Sequence, residues 1–291
     1  MTADVLAVAR MDATHVGRST PFWAVAGLLV GVLVLMYAVA WATGQAFSAA
    51  EMLGLLGLPI AILVPIVGLV AGTDRAPSTG TPRTREGPTN GPSVVLGRLL
   101  GRATAVAAAI TFAFAVAFVS SVVLFGVGSI AAWVGFVVVS ICYGLAFVGI
   151  GVGIATGVER ARRAAKISAG LYVTLFAFWE LLTGGLHTVV HGTTPSDTPA
   201  TWYLFVQQLN PLQSFAHATS TIVEGDVLPI VFRFGLDSSF EAPANRYGGE
   251  TPFFLHEWFG VALLVVWIVL PVAIGYRRFG RSDRRGPSID W

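Results

Sequence analysis

Long apolar segments alternate with short polar ones along most of the chain. Six of these segments are long enough to cross a hydrocarbon core about 30 Å thick, which takes about 20 helical residues. They lie near 22–43, 52–72, 103–127, 131–156, 167–190 and 254–276. The pattern therefore predicts an all-α, polytopic integral membrane protein with six transmembrane helices, whose single membrane domain covers 1–291.

Two further segments have helical patterns of their own. Over residues 1–20, apolar and polar positions partly separate around a helix, which is typical of an amphipathic helix in a membrane interface. Within the 191–253 loop, the stretch 201–223 is apolar and aromatic. It predicts two short helices, broken at the Asn210-Pro211 step, that cap or re-enter the membrane.

The 73–102 loop changes in composition along its length. Residues 73–93 are rich in Pro, Gly, Thr and Arg, a composition typical of disordered segments. The pattern becomes helical again in VVLGRLLGR (94–102). There we expect Arg98 and Arg102 to face water, while the neighbouring valines and leucines lie against the membrane or a partner.

The basic residues predict an orientation. All of the 18 lysines and arginines except Arg233 and Arg246 precede the first segment, follow the last, or lie in the connections 73–102 and 157–166. The positive-inside rule then places both termini and these connections in the cytoplasm, and the 191–253 loop outside.

With 55% hydrophobic and 12% charged residues, the chain is predicted to be a multi-pass protein of the cell membrane. Its basic residues indicate membrane lipid rather than nucleic acid as a partner.

The segment 131–156 ends in glycines spaced four positions apart, Gly149, Gly153 and Gly157. Small residues at this spacing let two membrane helices approach closely. We therefore expect another helix to pack on this face of the fourth span.

The chain lacks the motifs of several enzyme classes. It contains no G-x-x-x-x-G-K-[ST] phosphate loop, no H-E-x-x-H and no G-x-S-x-G. We therefore expect no catalysis in this chain and no cofactor bound to it.

Four stretches have a family likeness: VVLGRLLGR (94–102), GVGIATGVERARRAAKISAGL (151–171), QLNPLQSFAHA (208–218) and GYRRFGRSD (275–283). With the order of the segments, they resemble the ABC type-2 permease family over essentially the whole chain. Within that family the chain is similar to the copper-related permease of nitrous oxide reductase maturation. It differs from such permeases at 73–93, where they carry a charged helix that docks onto the ATPase subunit.

The resemblance implies a permease subunit of an ABC-type transporter, which moves a cargo across the membrane. It also implies a second permease copy, in a homo- or heterodimer, and an ATP-binding cassette subunit that binds ATP and Mg. The residues that would couple this chain to that subunit are Arg98, Arg102, Glu159, Arg160, Arg162 and Arg163.

The fifth predicted span carries ionisable residues on one face. Glu180, Gly184, His187 and His191 fall within a narrow sector of a helix at 100° per residue. Ionisable side chains inside a membrane normally face a bundle interior or a cavity. This polar stripe therefore predicts either a helix-packing face or a contact with cargo.

The same stripe allows a metal site. His187 and His191 are one helical turn apart, so both imidazoles can reach one ion. A third ligand, such as His217 or His256, would have to come from the external loop. The sequence thus offers two ligands of an incomplete site.

Two other functions fit these residues. A secondary transporter would use Glu180 as a proton-linked carboxylate and would need no ATPase. A membrane-bound copper maturation factor would bind metal through His187 and His191. A permease subunit needs a partner ATPase, whereas a secondary transporter does not. Finding such a partner therefore distinguishes these two functions.

Overall fold

The computed structural model describes residues 2–44, 47–74, 91–158, 160–195, 200–220, 222 and 252–282, and all regular elements in them are helical. The helices are α1 (Thr2–Val16), α2 (Thr20–Ala42), α3 (Ala49–Leu55), α4 (Gly57–Thr73), α5 (Gly91–Phe125), α6 (Ile130–Gly157), α7 (Ala161–Val173), α8 (Trp179–His191), α9 (Thr201–Gln208), α10 (Pro211–Thr219) and α11 (Glu257–Ser282). A π-helical turn, Thr174–Phe178, joins α7 to α8, and a 3-10 turn, Phe253–Leu255, precedes α11. The predicted all-α class is confirmed.

In the described part of the chain, five helical units are long and apolar enough to cross a membrane: α2, α5, α6, α7 with α8, and α11. The pair α3 and α4 passes the same test together, as one span bent by 41°. The bundle therefore has five spans, or six when the bent pair counts as one. These units correspond to the six apolar segments predicted from the sequence.

The largest difference in boundaries occurs at α5. This helix begins at Gly91, so the helical stretch predicted over 94–102 is present and is continuous with the span predicted from 103. The hydrophobicity pattern placed the start at 103 because Arg98 and Arg102 interrupt it. Residues 75–90, which include most of the Pro- and Gly-rich part, lie outside the described residues.

A proline explains the bend between α3 and α4. Pro59 has no N–H to donate to the carbonyl of Leu55, and its ring crowds that carbonyl. The helix breaks at Leu56, within the same turn. The bend thus follows from the sequence.

Pro65 acts differently, because α4 continues through it. Pro65 leaves the carbonyl of Ala61 without its helical donor, and the hydroxyl of Tyr143 in α6 donates to that carbonyl at 3.0 Å. The hydroxyl of Tyr172 in α7 donates to the next carbonyl, that of Ile62, also at 3.0 Å. Since a membrane interior offers no water to replace a lost backbone bond, these tyrosines fix α4 against α6 and α7.

Glycines bring α6 close to two neighbouring helices. A Cβ added at Gly149 or Gly153 would meet backbone carbonyls of α11. A Cβ added at Gly68 of α4 would lie 2.6 Å from the carbonyl oxygen of Gly144. Close packing therefore occurs at two of the three glycines singled out in the sequence, whereas Gly157, at the end of α6, is exposed.

Helix α1 packs lengthwise against the start of α5. A Cβ added at Gly97 would lie 2.6 Å from the Cβ of Val8, and one at Gly101 would meet the carbonyl oxygen of Ala9. The two glycines therefore form a shallow groove that receives α1.

Helix α1 has a buried side and an exposed side. Asp12 and Val16 are buried, while the apolar Leu6 and Met11 are 66% and 68% exposed. Exposed apolar residues can face lipid, so the predicted position of α1 in the membrane interface stays a prediction. Asp12 is buried because it is paired with Arg102, which lies 90 positions along the chain.

Candidate functional site

The polar stripe begins just after the π-helical turn. Glu180 lies in the first turn of α8 and is half-buried, whereas Gly184 and His187 are buried. His191, the last residue of α8, is exposed. The stripe thus faces neighbouring elements along most of its length and reaches the surface at its His191 end.

His187 and His191 form an aromatic cluster with α9. Their ring centroids are 4.6 Å apart, and both rings stack on Trp202, at 5.9 Å and 6.0 Å. The indole N–H of Trp202 donates to Nε2 of His191 at 3.0 Å. Nδ1 of His187 lies 3.1 Å from the carbonyl oxygen of Thr193. These contacts dock α9 on the end of α8.

This arrangement does not fit a metal site. A ligand nitrogen must offer its lone pair to the ion, but the Nε2 lone pair of His191 accepts the Trp202 N–H. Within the described ranges, no group of three His, Cys, Asp or Glu side chains could hold a metal ion. His217, buried in α10, and His256, exposed before α11, therefore do not complete the pair on α8.

Gln207 extends the contact between α8 and α9. Its side-chain nitrogen donates to the hydroxyl of Thr183 at 2.9 Å and to that of Tyr203 at 2.8 Å. Thr183 lies between Glu180 and His187 on α8. Polar groups therefore line the α8–α9 contact from the middle of α8 to its end.

Asn210 connects the fifth span to α10. A π-helical turn disrupts the regular bonding of its helix, and the carbonyl of Leu175 in that turn accepts the side-chain N–H of Asn210 at 2.7 Å. Oδ1 of Asn210 accepts the backbone N–H of Leu212 at 2.9 Å and so caps α10. Pro211, at the first position of α10, is a favourable helix start.

Helix α10 is buried inside the bundle. All of its residues except Gln213 are buried. Its Phe215 ring stacks on Tyr143 with the centroids 4.5 Å apart, and Tyr143 lies at the middle of α6. The two short helices predicted around the Asn210-Pro211 step are therefore present, and the second one re-enters the bundle to about half the length of α6.

The opposite end of the bundle, where α2, α5 and α7 begin and α4 and α6 end, is termed the basic end. Four cations of the α7 region, Arg160, Arg162, Arg163 and Lys166, are exposed there. They form the α7 basic surface, which suits an acidic protein surface or anionic lipid head groups. Arg98 is also exposed, and Glu159 lies outside the described residues.

Arg102 does not face water, so that prediction is wrong. The residue is 3% exposed, and its Nε donates to the carboxylate of Asp12 at 2.7 Å. One terminal nitrogen donates to the carbonyl oxygen of Gly72, and the other donates to that of Asp74 at 2.6 Å. The surface of α5 thus offers Arg98, but not Arg102, to a partner.

Sequence reasoning missed two residues that join elements. Asn210 had a detectable signal, because asparagine before proline is typical of a helix N-cap. Asp12 had only a weak one, an acid within an otherwise apolar helix side. The sequence does not reveal that Asn210 bonds to Leu175 or that Asp12 pairs with Arg102.

An all-helical bundle of five or six spans, with a re-entrant helix at one end and exposed cations at the other, defines a multi-pass membrane protein. Residues 6–284 match the family model of the ABC-2 family transporter protein. The chain therefore belongs to the ABC-2 transporter family, whose members are normally non-enzymatic membrane subunits that work with an ATP-binding cassette partner in the cell membrane. Among curated proteins, none matches the chain.

Proposed function

We propose that this chain is the permease subunit of an ABC-type transporter, which moves a cargo across the cell membrane with ATP hydrolysed by a separate subunit. The observation that carries the proposal is the family match over 6–284. The basic end supports the proposal, because exposed cations of α5 and of the α7 region are available there to a partner.

The proposed assembly pairs this chain with a second permease copy, identical or not, and with ATP-binding cassette subunits. ATP and Mg bind in those subunits, while this chain catalyses no reaction and binds no cofactor. The positive-inside rule supports a cytoplasmic position for the basic end and for both termini. The ATPase then meets Arg98, Glu159, Arg160, Arg162 and Arg163.

The cargo path is proposed to run along α8. Gly184 and His187 are buried against neighbouring elements, which supports a helix-packing role for that part of the stripe. Glu180 is half-buried and follows the π-helical turn. Since π-helical turns often mark functional sites, Glu180 is the stripe residue proposed to contact cargo.

The first test is co-purification of the chain with an ATPase subunit, followed by ATP hydrolysis and cargo movement in lipid nanodiscs or vesicles. Replacing Arg160, Arg162 and Arg163 together by Glu should lower the amount of bound ATPase by about tenfold or more, because like charges across an interface are costly. Arg18→Glu, which reverses an exposed charge elsewhere at the basic end, should leave the bound amount unchanged.

A secondary transporter is the second candidate, and the half-buried position of Glu180 favours it. Movement that follows an ion gradient, in a chain that never binds an ATPase, would establish this candidate and contradict the permease function. Copper binding by His187 and His191 is not favoured, because Trp202 occupies a His191 nitrogen.

A further inference from the structure

A buried arginine joins three helices at the basic end. Arg102 lies on α5, its carboxylate partner Asp12 lies on α1, and its carbonyl partners Gly72 and Asp74 lie at the end of α4. His15 of α1 adds a second contact, with its Nε2 3.9 Å from the carboxylate of Asp74. We term Asp12, Arg102 and these two carbonyls the Arg102 lock.

The chemistry of the lock matches its position. The carbonyls at the C-terminus of a helix carry partial negative charge and lack helical donors, so a guanidinium beside them is favourable. A guanidinium has five donors in a planar fork, which allows it to bind a carboxylate and two carbonyls at once. Removing one member of a buried ion pair leaves the other without compensation. The three helices therefore separate only at considerable cost.

Helix α4 extends from this lock to the re-entrant helix. In the first half of α4, the Ala61 carbonyl accepts the Tyr143 hydroxyl, and the ring of Tyr143 stacks on Phe215 of α10. The α4 helix is thus held to α1 at its C-terminal end and to α10, through Tyr143, in its N-terminal half. Packed elements joined in this way shift as units rather than deform continuously.

We propose that Arg102 is a positioning residue that locks α1 to the end of α4, so that movement imposed at the basic end reaches α10. The transport part of this inference rests on the proposed function. Arg102 itself touches neither the ATPase nor the cargo. Its role differs from that of the exposed Arg98, which lies on the same helix.

The lock is tested without any partner. Hydrogen exchange is measured on the full chain in lipid nanodiscs for the wild type, Arg102→Gln and Thr104→Ala. Arg102→Gln should raise amide exchange in Thr2–Val16 by about tenfold or more, because the uncompensated Asp12 favours release of α1. Thr104→Ala, which removes an exposed hydroxyl bonded within α5, should leave it unchanged. Unchanged exchange in Arg102→Gln would overturn the lock, whatever the partner does.

The coupling is tested with the co-purified ATPase. A fluorophore on Thr194→Cys, an exposed position before α9, is used with Cys142→Ala, because Cys142 is the only native cysteine. ATP should change the fluorescence of this otherwise wild-type complex. In Arg102→Gln the ATPase should still bind and hydrolyse ATP, but the fluorescence change should fall at least about fivefold.

Asp12→Asn supplies a second variant, because it keeps the side-chain shape while removing the charge. In Asp12→Asn the ATPase should still bind and hydrolyse ATP, and the fluorescence change should fall, but by less than in Arg102→Gln. A full fluorescence change in Arg102→Gln would refute the coupling role. If α1 is released in Arg102→Gln but the wild type binds no ATPase, the lock stands and the proposed function fails.

Discussion

Tyr143 supplies, from another helix, the hydrogen bond that Pro65 removes from α4. Its hydroxyl is fully buried and bonds to the Ala61 carbonyl at 3.0 Å. Tyr143→Phe keeps the ring on Phe215 but leaves that carbonyl without a donor. The free energy of unfolding in mixed micelles should therefore fall by about 1 kcal/mol, a typical value for a hydrogen bond between membrane helices.

The matching control uses Pro65→Ala, which restores a backbone N–H to the turn that contains Ala61. In that background the Ala61 carbonyl has a helical donor, so Tyr143→Phe should cost clearly less. An equal cost in both backgrounds would show that the hydroxyl does not compensate for the proline.

Single residues show where sequence reasoning ends. Pro59 and Pro65 each remove a backbone donor from the second segment, and the bend at Leu56 lies within the turn that Pro59 disturbs. The sequence does not reveal that Tyr143, 82 positions from Ala61, completes the bonding at Pro65. The same holds for Asp12 and Arg102, because hydrophobicity patterns describe single helices and not the pairing of polar groups between them.

At the scale of elements, α6 is the helix around which others pack closely. It approaches α11 at Gly149 and Gly153, where an added Cβ would meet the backbone. Spacing of small residues predicted the close contact correctly but could not name α11 as the partner, because many helices can accept such a face.

Gly153→Ala tests this contact. The added methyl group would meet the carbonyl of Pro271, and backbone cannot move aside as a flexible side chain can. The helices must separate, and overpacking of this kind costs about 1–3 kcal/mol. The expected result is a lower unfolding midpoint in detergent and less monodisperse protein.

Gly31→Ala is the matched control for Gly153→Ala. Gly31 also lies within a membrane span, but apart from its chain neighbours and the nearby backbone of its own helix, no atom lies within 4 Å of its added Cβ. Because alanine favours helix over glycine, Gly31→Ala should be neutral or slightly stabilising. Equal losses at both positions would contradict close packing as the role of Gly153.

Elements with polar or mixed composition were harder to predict. The helix predicted over 94–102 and the span predicted from 103 form one helix, α5, which begins at Gly91. Their continuity was missed because arginines interrupt the apolar pattern. The π-helical turn was not predicted, and the hydrogen bond that its Leu175 carbonyl accepts comes from Asn210, 35 positions along the chain. Re-entry of α10 was one of two predicted arrangements, and its aromatic contact with Tyr143 selects it.

At the scale of the whole molecule, the two ends of the bundle differ in chemistry. The basic end exposes the α7 basic surface and contains the Arg102 lock. The other end carries the aromatic cluster of α8 and α9 and the entry of α10. Such asymmetry suits a protein that receives energy on one side and opens on the other, and it makes orientation a direct test of the proposed function.

Orientation is measured by labelling single cysteines in a Cys142→Ala chain with a membrane-impermeant maleimide. Thr194→Cys, beyond the end of α8, should react in intact cells, whereas Lys166→Cys, on the α7 basic surface, should react only after permeabilisation. Both positions are exposed, so a difference in labelling reports the side of the membrane and not burial. The reverse pattern would place the cations outside, against the positive-inside rule. A cytoplasmic ATPase could not then reach Arg160, Arg162 and Arg163, and the proposed coupling surface would be ruled out.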